Sequence, residues 1–174
     1  KEASHIATTK RLKNPPKTHA GVVKLIRYII NPEKTSDEQC LYVDSFNCSV
    51  VHTASEFKAV REKWQKTTGN YAYHFEQSFK PGEVSAEECH QCGAELAEAL
   101  FAQFGYQVIF STHLDKDHLH NHFAVNAVNP IDGKKLQTDH AFIRTMRQQN
   151  DRICKAHNLS VVNEPKGKGK SYAE

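Results

Sequence analysis

The sequence predicts an α+β domain in which an antiparallel central sheet is flanked by helices. Three observations carry this expectation. Residues 71–79 and 118–128 alternate side-chain character with the period of two that belongs to strands. Four other stretches repeat apolar residues at the spacing of three and four that belongs to helices. The runs 106–113 and 118–128 are joined only by Leu114, Asp115, Lys116 and Asp117, a connection short enough to make them an antiparallel hairpin. The order β-α-β-α-β-α-β-β-α then places helices over a mainly antiparallel sheet.

Taken in order, residues 6–9 read as a short strand and 11–17 as a basic loop containing Pro15 and Pro16. Residues 18–30 carry Val22, Leu25, Ile26 and Ile29 at helical spacing, with Tyr28 beside that stripe, and Asn31-Pro32 stops the helix. Residues 41–46 form a second strand. Thr53 and Glu56 have the spacing of a capping box, opening a helix to about residue 66 with Phe57, Val60 and Trp64 on one side. In the strand 71–79, Tyr71, Tyr73, Phe75, Gln77 and Phe79 share one face, and Ala72, His74, Glu76 and Ser78 the other. Ser85 and Glu88 form a further capping box for a helix running to Phe104 and ending at Gly105. After the hairpin, residues 130–133 turn the chain. Asp139 caps a last helix to about residue 157, with Phe142, Ile143, Met146 and Ile153 inward. Residues 159–163 are a candidate final strand.

The bulk properties fit this reading. A chain of 174 residues with 39% hydrophobic and 25% charged residues can bury a substantial core in one domain. The organisation expected is one domain over residues 1–165 and a flexible basic tail over 166–174. The chain lacks an initiator Met, which fits an excised or tag-bearing fragment. A net charge of +3 permits a nucleic-acid partner without requiring one. No apolar run is long enough to span a bilayer, so no membrane insertion is expected. Five scattered cysteines suit a reducing cytosol, and Cys89 and Cys92, a lone CxxC within a helical pattern, read as ordinary helix positions.

The chemistry concentrates in residues 106–129. Four of the eleven histidines, His113, His118, His120 and His122, fall within ten residues, interleaved with Asp115 and Asp117. On a strand, Phe123, Val125 and Ala127 point to one face, while His120, His122, Ala124 and Asn126 point to the other. Alternation also puts His118 on the histidine face, and His113 can reach it across the hairpin if the register allows. Converging imidazoles suit a divalent metal ion, and a nearby aspartate can fix a ligand's tautomer. The competing possibility, a polar hairpin with solvated histidines, is poorly served by four such residues on a core-quality strand. A metal site alone would fit a hydrolase that activates water as well as other Lewis-acid chemistry.

The segment His113-x-Asp115-x4-His120-x-His122-x3-Asn126 resembles the HxDxxxxHxHxxxN motif of the MOBP-type relaxases, the HUH mobilisation nucleases of conjugative plasmids and integrative elements. Residues 27–35, RYIINPEKT, look like the segment around that family's nucleophilic tyrosine, and residues 74–85, HFEQSFKPGEVS, like its second motif. One departure is Asn121, which stands between the paired histidines where the wider pattern has a hydrophobic residue. Because it points away from the metal face, altered packing is expected there.

The resemblance implies His113, His120 and His122 as metal ligands, Tyr28 as nucleophile, and Asp115 as an orienting partner or proton acceptor. His118 falls outside the matched ligands, and alternation gives it a supporting or DNA-contacting role; Asn126 ties down a ligand or a neighbouring strand, and Glu76 and Ser78 are weaker candidates on an adjoining strand. It further implies a metal-dependent relaxase that nicks one DNA strand at an origin of transfer, forms a 5′-phosphotyrosyl intermediate and later reseals it, and a longer protein that continues past residue 174. Manganese or magnesium is the expected ion, with zinc or another transition metal as the alternative. The expected partners are single-stranded or locally unpaired DNA, accessory relaxosome proteins and a conjugation coupling protein, in the bacterial cytoplasm. Lys10, Arg11, Lys13, Lys17, Lys134, Lys135 and the basic last helix are candidate phosphate contacts. Tyr71 and Tyr73 read as core or DNA-stacking residues. A rolling-circle replication initiator, a three-histidine hydrolase and a DNA-binding module without catalysis are the alternatives; Tyr28 preceding the histidines favours the relaxase order.

Overall fold

The computed structural model describes residues 7–37 and 41–161. Strands β1 (Thr8–Arg11), β2 (Val43–Phe46), β3 (Ala72–Ser78), β4 (Val108–His113) and β5 (His120–Asn126) form one antiparallel sheet in the order β1-β3-β5-β4-β2. The helices are α1 (His19–Ile29), the single turn α2 (Pro32–Thr35), α3 (Thr53–Lys63), α4 (Ala86–Leu100) and α5 (His140–Ala156). On one face of the sheet Phe75, Phe110, Phe123 and Val125 pack with Leu96 of α4 and Met146 and Ile153 of α5. On the other, Ala72, Ile109 and Ala124 pack with Val22, Ile26 and Ile29 of α1 and Phe57 of α3. This is the antiparallel, helix-flanked α+β architecture expected from the sequence. With both faces covered, every residue of the central strand β5 is buried, so each polar side chain on it must find a partner inside the protein.

The helix starts follow local chemistry. Thr18 accepts from Gly21 N at 3.0 Å, Ser85 from Glu88 N at 3.1 Å, and Asp139 from Phe142 N at 2.9 Å. Each satisfies one amide that the first helical turn leaves without an intrahelical partner. The helix at 53 begins differently. His52 occupies the capping position without a side-chain bond. Thr53 instead donates to the Ser49 carbonyl, while Glu56 accepts from Ser49 N at 2.6 Å, so the box is closed one turn earlier than the spacing suggested. That helix also stops at Lys63, before residue 66.

Other boundaries move for identifiable reasons. The first strand is Thr8–Arg11, displaced from 6–9; Ile6 lies outside the described residues. As an edge strand pairing only with β3, it carries Lys10 and Arg11 without cost to the core. Asn31-Pro32 does end α1, but it opens α2 at once, since Asn31 Oδ1 accepts from Glu33 N at 3.1 Å. The helix expected to reach Phe104 breaks at Phe101 into a 3₁₀ turn, Ala102–Phe104, before left-handed Gly105. Tyr71 precedes β3 and packs with the α1 and α3 side of the sheet, away from Tyr73. Of the expected strand 159–163, Val161 forms an isolated parallel bridge to Ala7; residues 162 and 163 lie outside the described residues, as do Cys40, Tyr172 and the 166–174 tail. No helix among the described residues is long and apolar enough to cross a membrane. Cys89 and Cys92 are buried core positions of α4, where desolvation pushes the Cys92 thiol up to about 12.

Asn121 accounts for the departure at the paired histidines. It pairs in register with Gln77 on β3 and Thr112 on β4, and all three are fully buried. Its Oδ1 accepts from Thr112 Oγ1 at 2.6 Å, and its Nδ2 donates to Gln77 Oε1 at 2.9 Å and to the Cys89 carbonyl at 2.7 Å. Gln77 Nε2 continues to Asn150 of α5 at 2.8 Å. A polar row therefore crosses three strands on the face opposite the histidines and ties both helices to it. Gly93 makes this approach of α4 possible, because a Cβ there would lie 2.7 Å from Asn121 Nδ2. Gly93→Ala should therefore lower stability by about 1–3 kcal/mol, the usual scale of overpacking, read as a drop in the urea unfolding midpoint.

Candidate metal centre and nucleophile

The hairpin register sets His113 directly opposite His120, and Glu76 and Ser111 on either side of His122. One ring nitrogen from each of His113, His120 and His122 lies within 4.8 Å of the others, and all three residues are buried. Alternation alone offered His118 in this set, but His118 lies before β5, and the register brings His113 from the neighbouring strand.

The remaining ring nitrogens are each held. His113 Nε2 donates to the Ile29 carbonyl at 3.0 Å, and His120 Nδ1 to the His118 carbonyl at 3.2 Å; a carbonyl can only accept, so both tautomers are fixed. His122 Nδ1 meets His74 Nε2 at 2.7 Å. What is left over is informative: His113 Nδ1 and His122 Nε2 are buried with no hydrogen-bond partner. Orphaned buried acceptors need an explanation. A cation among three neutral imidazoles, each with its second nitrogen anchored, supplies one, so the residues present fit a divalent ion.

Electrostatics point the same way. Burial pushes the pKa values of His113, His120 and His122 down, the last further lowered by its histidine neighbours. Burial also pushes His74 down to about 4. The rings are thus neutral and able to donate lone pairs at physiological pH. Among the described residues, the carboxylates of Glu76 and Asp115 border the cluster. Burial would raise Glu76, but Lys10 at 2.9 Å and the Ser78 hydroxyl at 3.0 Å outweigh it and hold its carboxyl below the usual range. Its other oxygen is 3.9 Å from His122 Nε2. Asp115 ion-pairs with Lys34 at 3.3 Å, which overcomes its slight desolvation and lowers its pKa. The His113 ring hydrogen bonds to a backbone carbonyl, and the Asp115 carboxylate is engaged by Lys34.

Tyr28 stands over the cluster. Its ring meets those of His122, His113 and His74 edge-on, with centroids 5.3, 5.4 and 6.0 Å away, yet 41% of the residue remains exposed. It occupies the last turn of α1, whose C-terminal carbonyls need partners; Ile29 O receives the Ser111 hydroxyl at 2.6 Å as well as His113. Beside Tyr28 opens a cavity of about 370 Å³ lined by Lys13, Asn14, Pro16, Lys24, Leu25 and His74. A second, of about 770 Å³, lies between Arg11, Lys13, Lys17, Asn70 and Tyr73. Asn126 shares the face of β5 that carries His120 and His122 but bonds elsewhere: it donates to Gln107 Oε1 at 2.9 Å and the Phe57 carbonyl at 3.3 Å, tying α3 to the sheet.

Sequence reasoning overlooked His74 and Lys34 as members of this site. The alternation of β3 had put His74 on the face of Glu76 and Ser78, which was the available signal. For Lys34, whose ammonium lies 5.1 Å from the Tyr28 ring centroid, none existed beyond its place in a matched segment.

Fold and site together define an α+β domain with a three-histidine centre on a central hairpin, faced by a helix-borne tyrosine. The profile of the family described as "Relaxase: MobA/VirD2-like, nuclease domain" matches residues 28–159. The chain belongs to this family. It is 41% identical over 138 residues to Protein rlx of Staphylococcus aureus, covering 79% of this chain and 40% of that protein. It is also 26% identical over 140 residues to the Group II intron-interrupted relaxase LtrB of Lactococcus lactis subsp. cremoris, covering 66% of this chain and 24% of that protein. The chain thus spans less than half the length of these relatives.

The depressed pKa of His74 has a consequence for acid stability. An unfolded His74 binds a proton below about 6.5, whereas the folded one resists protonation down to about 4. Stability is therefore full above the unfolded value and falls as pH drops through that window. With chelator present, the urea midpoint should decline between pH 7 and 4.5, and decline less in His74→Gln, which keeps an acceptor but does not titrate.

Proposed function

We propose that this domain is the nicking and strand-transferring unit of a relaxase acting at an origin of transfer. The observation that supports it best is the Tyr28 ring packed edge-on against three histidine rings that come from three other elements of the chain, β3, β4 and β5. A tyrosine that merely filled the core would not be left 41% exposed over such a centre. In this reading His113, His120 and His122 hold a divalent ion, manganese or magnesium or else zinc or another transition metal. When bound, the ion supplies Lewis-acid stabilisation of the negative charge on the scissile phosphate.

The chain's own groups do the rest. The Tyr28 hydroxyl attacks phosphorus and gives up its proton to water or to Asp115. The bond from phosphorus to the tyrosyl oxygen forms as the bond to the 3′ oxygen breaks, leaving a free 3′-hydroxyl and a 5′-phosphotyrosyl linkage. Attack by a 3′-hydroxyl reverses the step and reseals the strand, and because bond energy is conserved no nucleotide triphosphate is needed. Lys13 and Lys24 beside Tyr28, and Arg11, Lys13 and Lys17 with Tyr73 farther out, suit the phosphates and bases of single-stranded DNA flanking the cut. Accessory relaxosome proteins and a coupling protein are the partners of such a unit in a bacterial cytoplasm.

A labelled single-stranded oligonucleotide carrying the nick site, incubated with manganese, should give a covalent adduct on denaturing gels that Tyr28→Phe abolishes. Cleavage that survives Tyr28→Phe would replace this mechanism with activated-water hydrolysis. In calorimetric titration with manganese or zinc, His113→Ala should eliminate binding and His118→Ala retain it. His74→Gln should weaken it by up to about 10-fold, the low end of losses at groups that orient ligand histidines. Loss of binding in His118→Ala alone would overturn the ligand set.

A further inference from the structure

Resting on the reading of Tyr28 as nucleophile, we propose that Lys34 is a positioning residue of the reaction, clasping the Tyr28 ring and the Asp115 carboxylate together beside the histidines. Its backbone is unusually well placed for this. Asn31 caps the one-turn helix α2, and the Lys34 carbonyl accepts from Leu114 N at 2.6 Å, one residue beyond His113. The next carbonyl, of Thr35, accepts from Tyr42 N at 2.8 Å, while the Tyr42 carbonyl takes Thr112 N at 3.0 Å. Thus α2 is stitched to the end of the strand that supplies His113, immediately after the helix that supplies Tyr28.

The side chain closes the clasp. The Lys34 ammonium lies 3.3 Å from Asp115 Oδ2 and 5.1 Å from the Tyr28 ring centroid, inside the range at which a cation is attracted to an aromatic face. The rings of His74, His113 and His122 reach Tyr28 edge-on, so the ring is bounded by imidazoles and by the Lys34 ammonium. A ring this exposed would otherwise be free to turn, and small errors in the placement of a nucleophile are costly in rate. The same ion pair keeps Asp115 on the α2 side of the hairpin. Lys34 therefore acts through Tyr28 and Asp115, with no need to touch the DNA itself.

Adduct formation under single turnover, with manganese and the oligonucleotide above, tests this in wild type, Lys34→Met and Lys34→Arg. Lys34→Met keeps the aliphatic stem and should slow the maximal rate roughly 10–100-fold, with half-saturating DNA and manganese affinity each within about twofold of wild type. Lys34→Arg, which can pair with a carboxylate and face an aromatic ring, should recover most of the rate. A maximal rate in Lys34→Met within twofold of wild type overturns the proposal. So does a rate loss that appears wholly as weaker DNA binding, which would make Lys34 a phosphate contact. A loss of manganese affinity overturns it too, by making the residue part of the histidine centre's scaffold. The nucleophile reading fails separately, by the absence of any adduct in the wild type. In that event the clasp is judged in the metal-free protein by histidine ring-proton NMR shifts of His113 and His122. Those shifts sense the Tyr28 ring current. They support the clasp if they move in Lys34→Met but not in Lys34→Arg, and refute it if they stay fixed in both.

Discussion

The site depends on one backbone carbonyl. Ile29 lies at the C-terminal end of α1, where the helix can no longer supply partners for its own oxygens. Its carbonyl is taken up by the Ser111 hydroxyl and by Nε2 of His113, both from the buried strand β4. Leaving that oxygen unpaired in the interior would cost about 1–3 kcal/mol, so helix and strand are locked at this point. The same contact performs two further tasks. It fixes the tautomer of His113, turning Nδ1 toward the other histidines, and it sets the height of Tyr28, the preceding residue, above the cluster.

The opposite face of the hairpin shows why the cluster keeps its shape. A one-residue slip of β5 would carry His120 and His122 into the α4–α5 core and Asn121 into the site. Asn121, Gln77 and Thr112 forbid it by forming a lateral row of hydrogen bonds that closes only in the observed register. A hydrophobic residue at 121 would fit the same face by volume alone. The asparagine adds direction, but it demands Gly93 on α4 and an aligned Cys89 carbonyl. The hairpin is polar on both faces for different reasons: the Asn121 row is internally satisfied, whereas the histidine face retains the unpaired nitrogens His113 Nδ1 on β4 and His122 Nε2 on β5.

Much of this was legible in the chain. The alternation of residues 118–128, the short connection after His113 and the side-chain caps at Ser85 and Asp139 are local signals, and each matches the structure because local chemistry decides it. What escaped was decided by distant residues. The start of β1 is set by its partner β3 and not by its own composition. Thr53 and Glu56 have the spacing of a capping box, yet Ser49, four residues before Thr53, captures both. His74 looked like any polar residue on a strand until the register placed its ring against His122. Lys34 was hidden behind Asn31-Pro32, which reads as a stop and is in fact the cap of another turn.

The charges around the cluster form a final constraint. Both carboxylates that border the histidines are matched by a lysine, Glu76 by Lys10 and Asp115 by Lys34. The imidazoles themselves are held neutral by burial. If the carboxylates were unpaired, a divalent ion entering between the histidines would be largely neutralised by its surroundings, and its attraction for an anionic phosphodiester would be spent in advance. With the carboxylates already compensated, an ion held by the histidines would keep more of its charge for an incoming anion on the side where Tyr28 stands and the lysine-lined cavity begins. Neutral imidazoles and paired acids would together suit a centre that receives an anion better than one that must only hold a metal tightly.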